Sequence, residues 1–433
     1  MQTASKKVIN GWAMYDWANS VYNLVITTTF FPIYFTTITK SEANGDNVSF
    51  FGKYFVNSAL YDYAMAAAFV LAALLSPILS SIADTRGNKK RYLMLFTWLG
   101  GLSCCALFNF TGPNPNVEYG VIFFILATLG YCGGLVFYNS YLPEIAVVED
   151  RDRISAKGFA MGYVGSVILQ LIGFALVVVK PFGIEGGMPV RITFLLVGLW
   201  WIGFAQITFI RLPASKATIQ EHSANALTEG FREIRKVYAQ VKSMPVLKRF
   251  LRAFFFYSMG VQTVMMAATI FGSQELGLPS DKLIISVVAI QIVAVLGAWG
   301  MAKLSGKFGN IPVLMTVIVL WIAICLAGYR MQTATDFYML AVAVGLVMGG
   351  VQSLSRSTYA KLMPETEDTA SFFSYYDVVE KFSIAIGLIT FGYIHELTGS
   401  MRNSVLALIV FFLIGLLWLY AALQKQKRIA AGN

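Results

Sequence analysis

Twelve apolar runs, each about 20 residues or longer, follow one another along this chain. They lie at 11–38, 55–82, 92–111, 119–142, 156–179, 191–210, 250–273, 283–304, 311–329, 337–360, 371–394 and 403–423. About 20 residues at 1.5 Å each is what an α-helix needs to cross the hydrocarbon layer of a bilayer. Backbone polar groups find no water there, so each run is expected as a helix. One long polar segment, 211–249, separates the sixth run from the seventh. The expected fold is an all-α membrane protein of twelve transmembrane helices. Residues 1–210 form one six-helix bundle, 211–249 a connector and 250–433 the second bundle.

Composition narrows the function classes. Charged residues are 13% of the 433, where a soluble domain carries about 25%. The net charge of +10 is distributed along the chain, and no zinc-finger or RNA-binding signature accompanies it, so no nucleic-acid partner is expected. His222 and His395 are the only histidines, which excludes a His-rich metal site; no metal and no cofactor are expected. Cys104, Cys105, Cys132 and Cys325 all lie within apolar runs and read as packing residues rather than disulfide partners. The first run is too long for a cleavable signal peptide and carries Asp16. Asn47-Val48-Ser49 matches the glycosylation acceptor pattern, which also arises by chance.

Lys and Arg set the orientation. Lys6, Lys7, Arg86, Lys89, Lys90, Arg91, Arg151, Arg153, Lys157, Lys303, Lys307, Arg356, Lys361, Lys425, Lys427, Arg428 and the connector's basic residues fall on one side. Lys40, Lys53, Lys180, Arg191, Lys282, Arg330 and Arg402 fall on the other. The positive-inside rule then places both termini and the connector in the cytoplasm. The halves also repeat weakly. Ala83-Asp84-Thr85-Arg86-Gly87-Asn88 follows the second run as Ser305-Gly306-Lys307-Phe308-Gly309-Asn310 follows the eighth. Leu142-Pro143-Glu144 follows the fourth as Met363-Pro364-Glu365 follows the tenth. Duplicated halves place a substrate site at their interface near the bilayer midplane. Within the connector, residues 230–241 (GFREIRKVYAQV) read either as an amphipathic helix on the membrane surface or as a solvated tether.

Two runs carry polar residues that hydrocarbon does not tolerate unless they face protein or water. In residues 12–23 (WAMYDWANSVYN), Trp12, Asp16, Asn19 and Asn23 are spaced to share one helical face. An ionised Asp at the centre of a spanning helix costs about 2.5–3.5 kcal/mol on insertion scales. In the eleventh run Asp377 and Lys381 stand four apart with Glu380 beside them, so acid and base can pair along the helix. One reading has Asp16 and either Asp377 or Glu380 exchanging protons, with Lys381 biasing which is ionised. The other has Asp377 and Lys381 as a stabilising pair near the helix end.

The loop Asp84 to Arg91 (DTRGNKKR) resembles the signature loop of the major facilitator superfamily, Gly-x-x-x-Asp-Arg-x-Gly-Arg-Arg. Asp84, Gly87 and Lys89 match, while Ser80, Thr85 and Asn88 depart from the pattern. A narrower resemblance, to the vacuole-effluxer-like branch of that superfamily, rests on three stretches. They are Tyr15-Asp16-Trp17-Ala18-Asn19-Ser20, Gln352 to Ser357 (QSLSRS) with Pro364-Glu365, and Phe372 to Asp377 (FFSYYD) with Lys381. It covers the whole chain. It implies a bacterial-type member in the inner membrane that exports amino acids or related metabolites, and a monomer as the default for the fold.

The remaining candidates each carry two readings. Tyr15, Asp16, Asn19, Asn23, Gln262, Gln352, Asp377, Glu380 and Lys381 are the substrate or proton-coupling set. Asp62, Asp84, Arg86, Gly87, Lys89, Arg356 and Glu365 are the gating set. Arg356 suits a bidentate clamp on a substrate carboxylate, a positive-inside anchor, or a gate partner for Glu365. Gln170, Gln262 and Gln291 suit interhelical hydrogen bonding, with Gln262 the best ligand among them. Trp12, Tyr15, Trp17 and Tyr22 suit cavity walls, and Gly130, Gly133, Gly134, Gly345, Gly349 and Gly350 suit close helix packing. No phosphate-binding Gly-Lys-Ser/Thr loop occurs, so the chain does not use ATP by that device. The expected function is a secondary transporter of a small polar solute, coupled to protons or to Na⁺. An exporter of cell-wall or lipid-like cargo, or a non-transporting receptor, is the alternative. An intramembrane enzyme is not expected.

Overall fold

The computed structural model describes residues 2–41, 45–86, 88–112, 115–179, 183, 186–214 and 226–431. Gly87, the Arg86 side chain and connector residues 215–225, which include His222, lie outside the described residues. Among the described residues, a long helical segment stands at each of the twelve apolar runs. In order these spans are Lys6–Thr39, Asn57–Arg86, Lys89–Ala106, Val117–Ser140, Arg151–Val179 and Met188–Arg211 in the first half. Pro245–Leu276, Ser280–Phe308, Asn310–Arg330, Ala334–Leu362, Thr369–Thr398 and Met401–Ala430 make up the second. Eleven are long and apolar enough to cross a membrane. The seventh, Pro245–Leu276, has 32 residues, which at 1.5 Å each is also ample.

By contacts the chain forms two compact units. The N-unit comprises Lys6–Tyr138 and Met161–Gln220; the C-unit comprises Met1–Ser5, Asn139–Ala160 and Glu221–Asn433. In the N-unit the first and third spans pack on the sixth; in the C-unit the seventh and ninth pack on the twelfth. The same positions of the two six-helix repeats thus meet in both. Glycine makes two of the close approaches possible. A Cβ on Gly130 would overlap the backbone of Gly100, and one on Gly349 would overlap the Ala294 carbonyl.

The first span is not a uniform α-helix. Lys6–Val21 is α, Tyr22–Phe30 is π-helical, and Phe31–Thr39 is α again. Two successive threonines explain part of this. Thr28 and Thr29 both donate their hydroxyls to the Leu24 carbonyl, competing with the helical ladder. Neighbouring spans satisfy the loosened segment: Tyr61 donates to the Thr27 carbonyl and Gln170 to the Thr29 hydroxyl. The 3.6-residue spacing that puts Trp12, Asp16 and Asn19 on one face therefore stops at Val21, before Asn23.

The connector forms a helix, Ala226–Ser243, that packs on the seventh and eleventh spans within the C-unit. Its apolar face finds protein rather than lipid or water, because Val237 and Val241 are buried there. Lys236 bridges Glu233 and Asp368, the residue just before the eleventh span. Burial lowers the Lys236 pKa, but the hydrogen bond to Glu233 and the charge of Asp368 outweigh it, so the net shift is upward. Between the first two spans, Asn47–Phe50 and Lys53–Val56 pair as an antiparallel hairpin.

Candidate functional site

In the N-unit the buried carboxylate of Asp16 accepts a hydrogen bond from Tyr138 at 2.8 Å. Tyr138 stacks on Trp12, with ring centroids 4.4 Å apart, and the Trp12 indole donates to the Tyr138 carbonyl at 2.9 Å. Tyr15 lies against the same ring and bonds Thr97, so Trp12, Tyr15 and Tyr138 pack as one aromatic cluster that reaches Asp16 through the Tyr138 hydroxyl. Trp12, Tyr15 and Tyr22 are fully buried and are bundle interior rather than cavity wall. Asn19 is also fully buried, and both polar atoms of its carboxamide lack a hydrogen-bond partner among the described residues. Asn23 is half-buried at the start of the π segment. Asp84 pairs with Lys89 at 3.0 Å, both buried, across the turn between the second and third spans. Asp62 stands exposed on the second span.

In the C-unit, Asn139–Ala160 from the ends of the fourth and fifth spans clusters with the seventh to twelfth. Two buried charges dominate that contact. Asp152 meets Lys361 at 2.5 Å, accepts from Asn310 at 2.6 Å and from Ser305 at 2.8 Å. Arg356 donates to the Ser155 hydroxyl and carbonyl at 2.9 and 2.8 Å and to Asn139 at 3.2 Å, with Phe159 against its face at 4.1 Å. Ser155 in turn donates to the Ser353 carbonyl, and Thr369 donates to Glu144 at 2.7 Å. The N-terminal residues join in: Thr3 donates to Asp150 and the Ala4 amide to the Ile145 carbonyl. Arg356 and Glu365 are not brought together, since Glu365 is exposed on the loop after the tenth span.

The eleventh span carries the second polar element of this unit. Lys381 lies 3.2 Å from one oxygen of Asp377 and 3.5 Å from Glu380. The other Asp377 oxygen is buried and has no partner among the described residues. Nearby, Tyr257 and Ser355 share a hydrogen bond at 2.7 Å, and Tyr376 stacks on Phe254. Gln262 is half-buried, and Gln352 points its amide at the Met265 sulfur, 3.6 Å away.

The sequence reading missed Asp152, Asn139, Ser155, Ser305 and Asn310 as a set. The signal available was the repeat itself, because Ser305 and Asn310 bound the loop that corresponds to Ala83 through Asn88.

Duplicated six-helix packing with buried charges at helix ends and on the first and eleventh spans describes a multi-pass membrane protein of the major facilitator fold, and its relatives are transporters, a non-enzymatic class. Its fold matches the crystal structure of the human organic anion transporter MFSD10 (TETRAN), with a TM-score of 0.75 at 11% identity over 96% of this chain and 99% of that one. The chain belongs to the family described as vacuole effluxer Atg22 like, whose model matches residues 4–432. It is 31% identical to the uncharacterized MFS-type transporter YxiO of Bacillus subtilis (strain 168), over 94% of this chain and 92% of that protein. It is 25% identical to Autophagy-related protein 22 of Kluyveromyces lactis, over 95% and 92% respectively.

Proposed function

We propose that this transporter moves amino acids or related small polar metabolites by alternating access, with protons rather than Na⁺ as the coupling ion. The observation that carries the proposal is Asp377, a buried carboxylate with one oxygen on Lys381 and the other without a partner among the described residues. An anion with half its hydrogen-bonding capacity unused is costly in a low-dielectric site. A proton removes that cost by occupying the open oxygen. Glu380 shares the same lysine and makes the cluster responsive to a single added positive charge.

The contacts of Asp152 with Lys361 and of Arg356 with Ser155 and Asn139 act in this reading as the cytoplasmic gate, and the Asp84–Lys89 pair stiffens the loop between the second and third spans. Both termini are cytoplasmic and the membrane is a bacterial inner membrane. The family's description as an effluxer favours net export.

Proteoliposomes with an imposed pH gradient test the coupling. Labelled amino acid should accumulate against its gradient with the natural protein. The Asp377→Asn variant should still equilibrate the solute yet fail to concentrate it. Gradient-driven accumulation that survives in Asp377→Asn and in Glu380→Gln contradicts the assignment.

A further inference from the structure

The hairpin between the first and second spans has a feature that transport does not use. Its register pairs Asn47 with Val56 and Phe50 with Lys53, leaving Phe51 and Gly52 as a two-residue turn. Both turn residues have positive φ, 46° at Phe51 and 77° at Gly52, which suits Asn-Gly and strains a bulky side chain. Phe51 is nevertheless 70% exposed and Tyr54 68% exposed, with Val56 exposed beside them. A strained position that presents an aromatic ring outward points to something outside the protein that receives it.

The rings form a continuous line. Phe51 lies 4.7 Å from Phe50, Phe50 6.4 Å from Phe55, and Phe55 6.2 Å from Tyr63. Tyr63 is on the second span, and the residues below it on the same helical face, Ala67, Val70 and Leu74, are exposed and apolar. An exposed apolar stripe on a spanning helix lies against acyl chains, and aromatic rings at its end belong at the membrane–water boundary. The hairpin is also held firmly. The Phe51 amide donates to Glu118 at 2.9 Å, and the Asn57 amide donates to the Asp46 carbonyl. The Asn57 side chain donates to the Thr36 carbonyl, and Lys40 pairs with Asp46.

We infer that this hairpin is an interfacial anchor: Phe51 and Tyr54 seat in the headgroup–acyl boundary of the leaflet on its own side of the membrane. Lys53, which opens the second strand beside the turn and is exposed, is placed for lipid phosphate. The anchor fixes the depth of the outer end of the second span, which shallow aromatic contacts do for spanning helices generally.

Nitroxide labels at Phe51→Cys, Tyr54→Cys and Asn47→Cys, introduced one at a time, test this in full-length protein reconstituted in liposomes. Cys105 is replaced by Ser, the other three native thiols being buried. Power saturation should show collisions with dissolved oxygen exceeding those with a water-soluble nickel chelate at positions 51 and 54, and the reverse at 47. Chelate collisions dominating at both 51 and 54 would place the hairpin in water, as a lid or protein-docking element, and overturn the inference.

Discussion

The Lys361 ammonium lies 2.5 Å from a carboxylate oxygen of Asp152, and Ser305 and Asn310 also donate to that carboxylate. Both charges are largely buried, so their worth depends on one another. Removing one member of such a pair costs about 3–5 kcal/mol, because the survivor is left uncompensated. Asp152→Asn and Lys361→Met should each destabilise the protein by that order. The double variant should recover part of the loss, giving a coupling of about 1–3 kcal/mol in a double-mutant cycle of unfolding free energies. Strict additivity would mean that the contact is not a coupled pair.

Tyr138 offers a way to probe Asp16 without touching its charge. Tyr138→Phe keeps the stack on Trp12 and deletes only the hydroxyl that bonds the carboxylate. A hydrogen bond to a buried charged group is worth about 1.5–3 kcal/mol, and unfolding in detergent should show a loss of that size. Unchanged stability would indicate that Asp16 is served equally well by its other surroundings.

Lys236 is about two-fifths exposed at its side chain, so its pairing with Glu233 and Asp368 is worth no more than about 1 kcal/mol. Its pKa is raised on folding, so its contribution is complete below the ordinary lysine value of about 10.4 and is lost only as pH climbs past the folded value. Lys236→Met should speed hydrogen exchange around Val237 and Val241 to the same degree at pH 6 and pH 8. An effect that differs between the two would assign the titration to another group.

Two glycines make a matched pair. Gly349→Ala forces a methyl into the Ala294 carbonyl, a backbone group that cannot step aside, whereas Gly392→Ala meets nothing within 4 Å. The first should lower stability by about 1–3 kcal/mol or more. The second should stay within about 0.5 kcal/mol of the natural protein. Equal behaviour in a thermal-stability assay would remove the close packing of the eighth and tenth spans from the account.

The twelve spans were legible because each apolar run is long enough to cross a bilayer and too apolar to do anything else. The i, i+4 spacing of Asp377 and Lys381 likewise becomes a 3.2 Å contact, since one helix carries both residues and no long-range information is needed. Asp152 was not legible. In the sequence it is one loop acid between Arg151 and Arg153, and its partners lie 153, 158 and 209 residues away. The π segment was hidden for a different reason: apolar periodicity assumes a 3.6-residue repeat, and the Thr28 and Thr29 hydroxyls on the Leu24 carbonyl depart from it. The connector stretch 230–241 read either as an amphipathic helix or as a solvated tether, and its partner was not legible, because periodicity gives an apolar face without saying what covers it.

Counterflow in liposomes asks directly whether this protein carries amino acids. Purified protein is loaded with one unlabelled amino acid at a time and offered its labelled form outside, with Asp377→Asn in parallel. Labelled substrate should accumulate saturably and transiently for at least one amino acid, and do so in the variant as well because exchange needs no net proton movement. Absence of counterflow for every amino acid, from protein shown to be folded, would contradict the proposed function and point to larger cell-wall or lipid-like cargo.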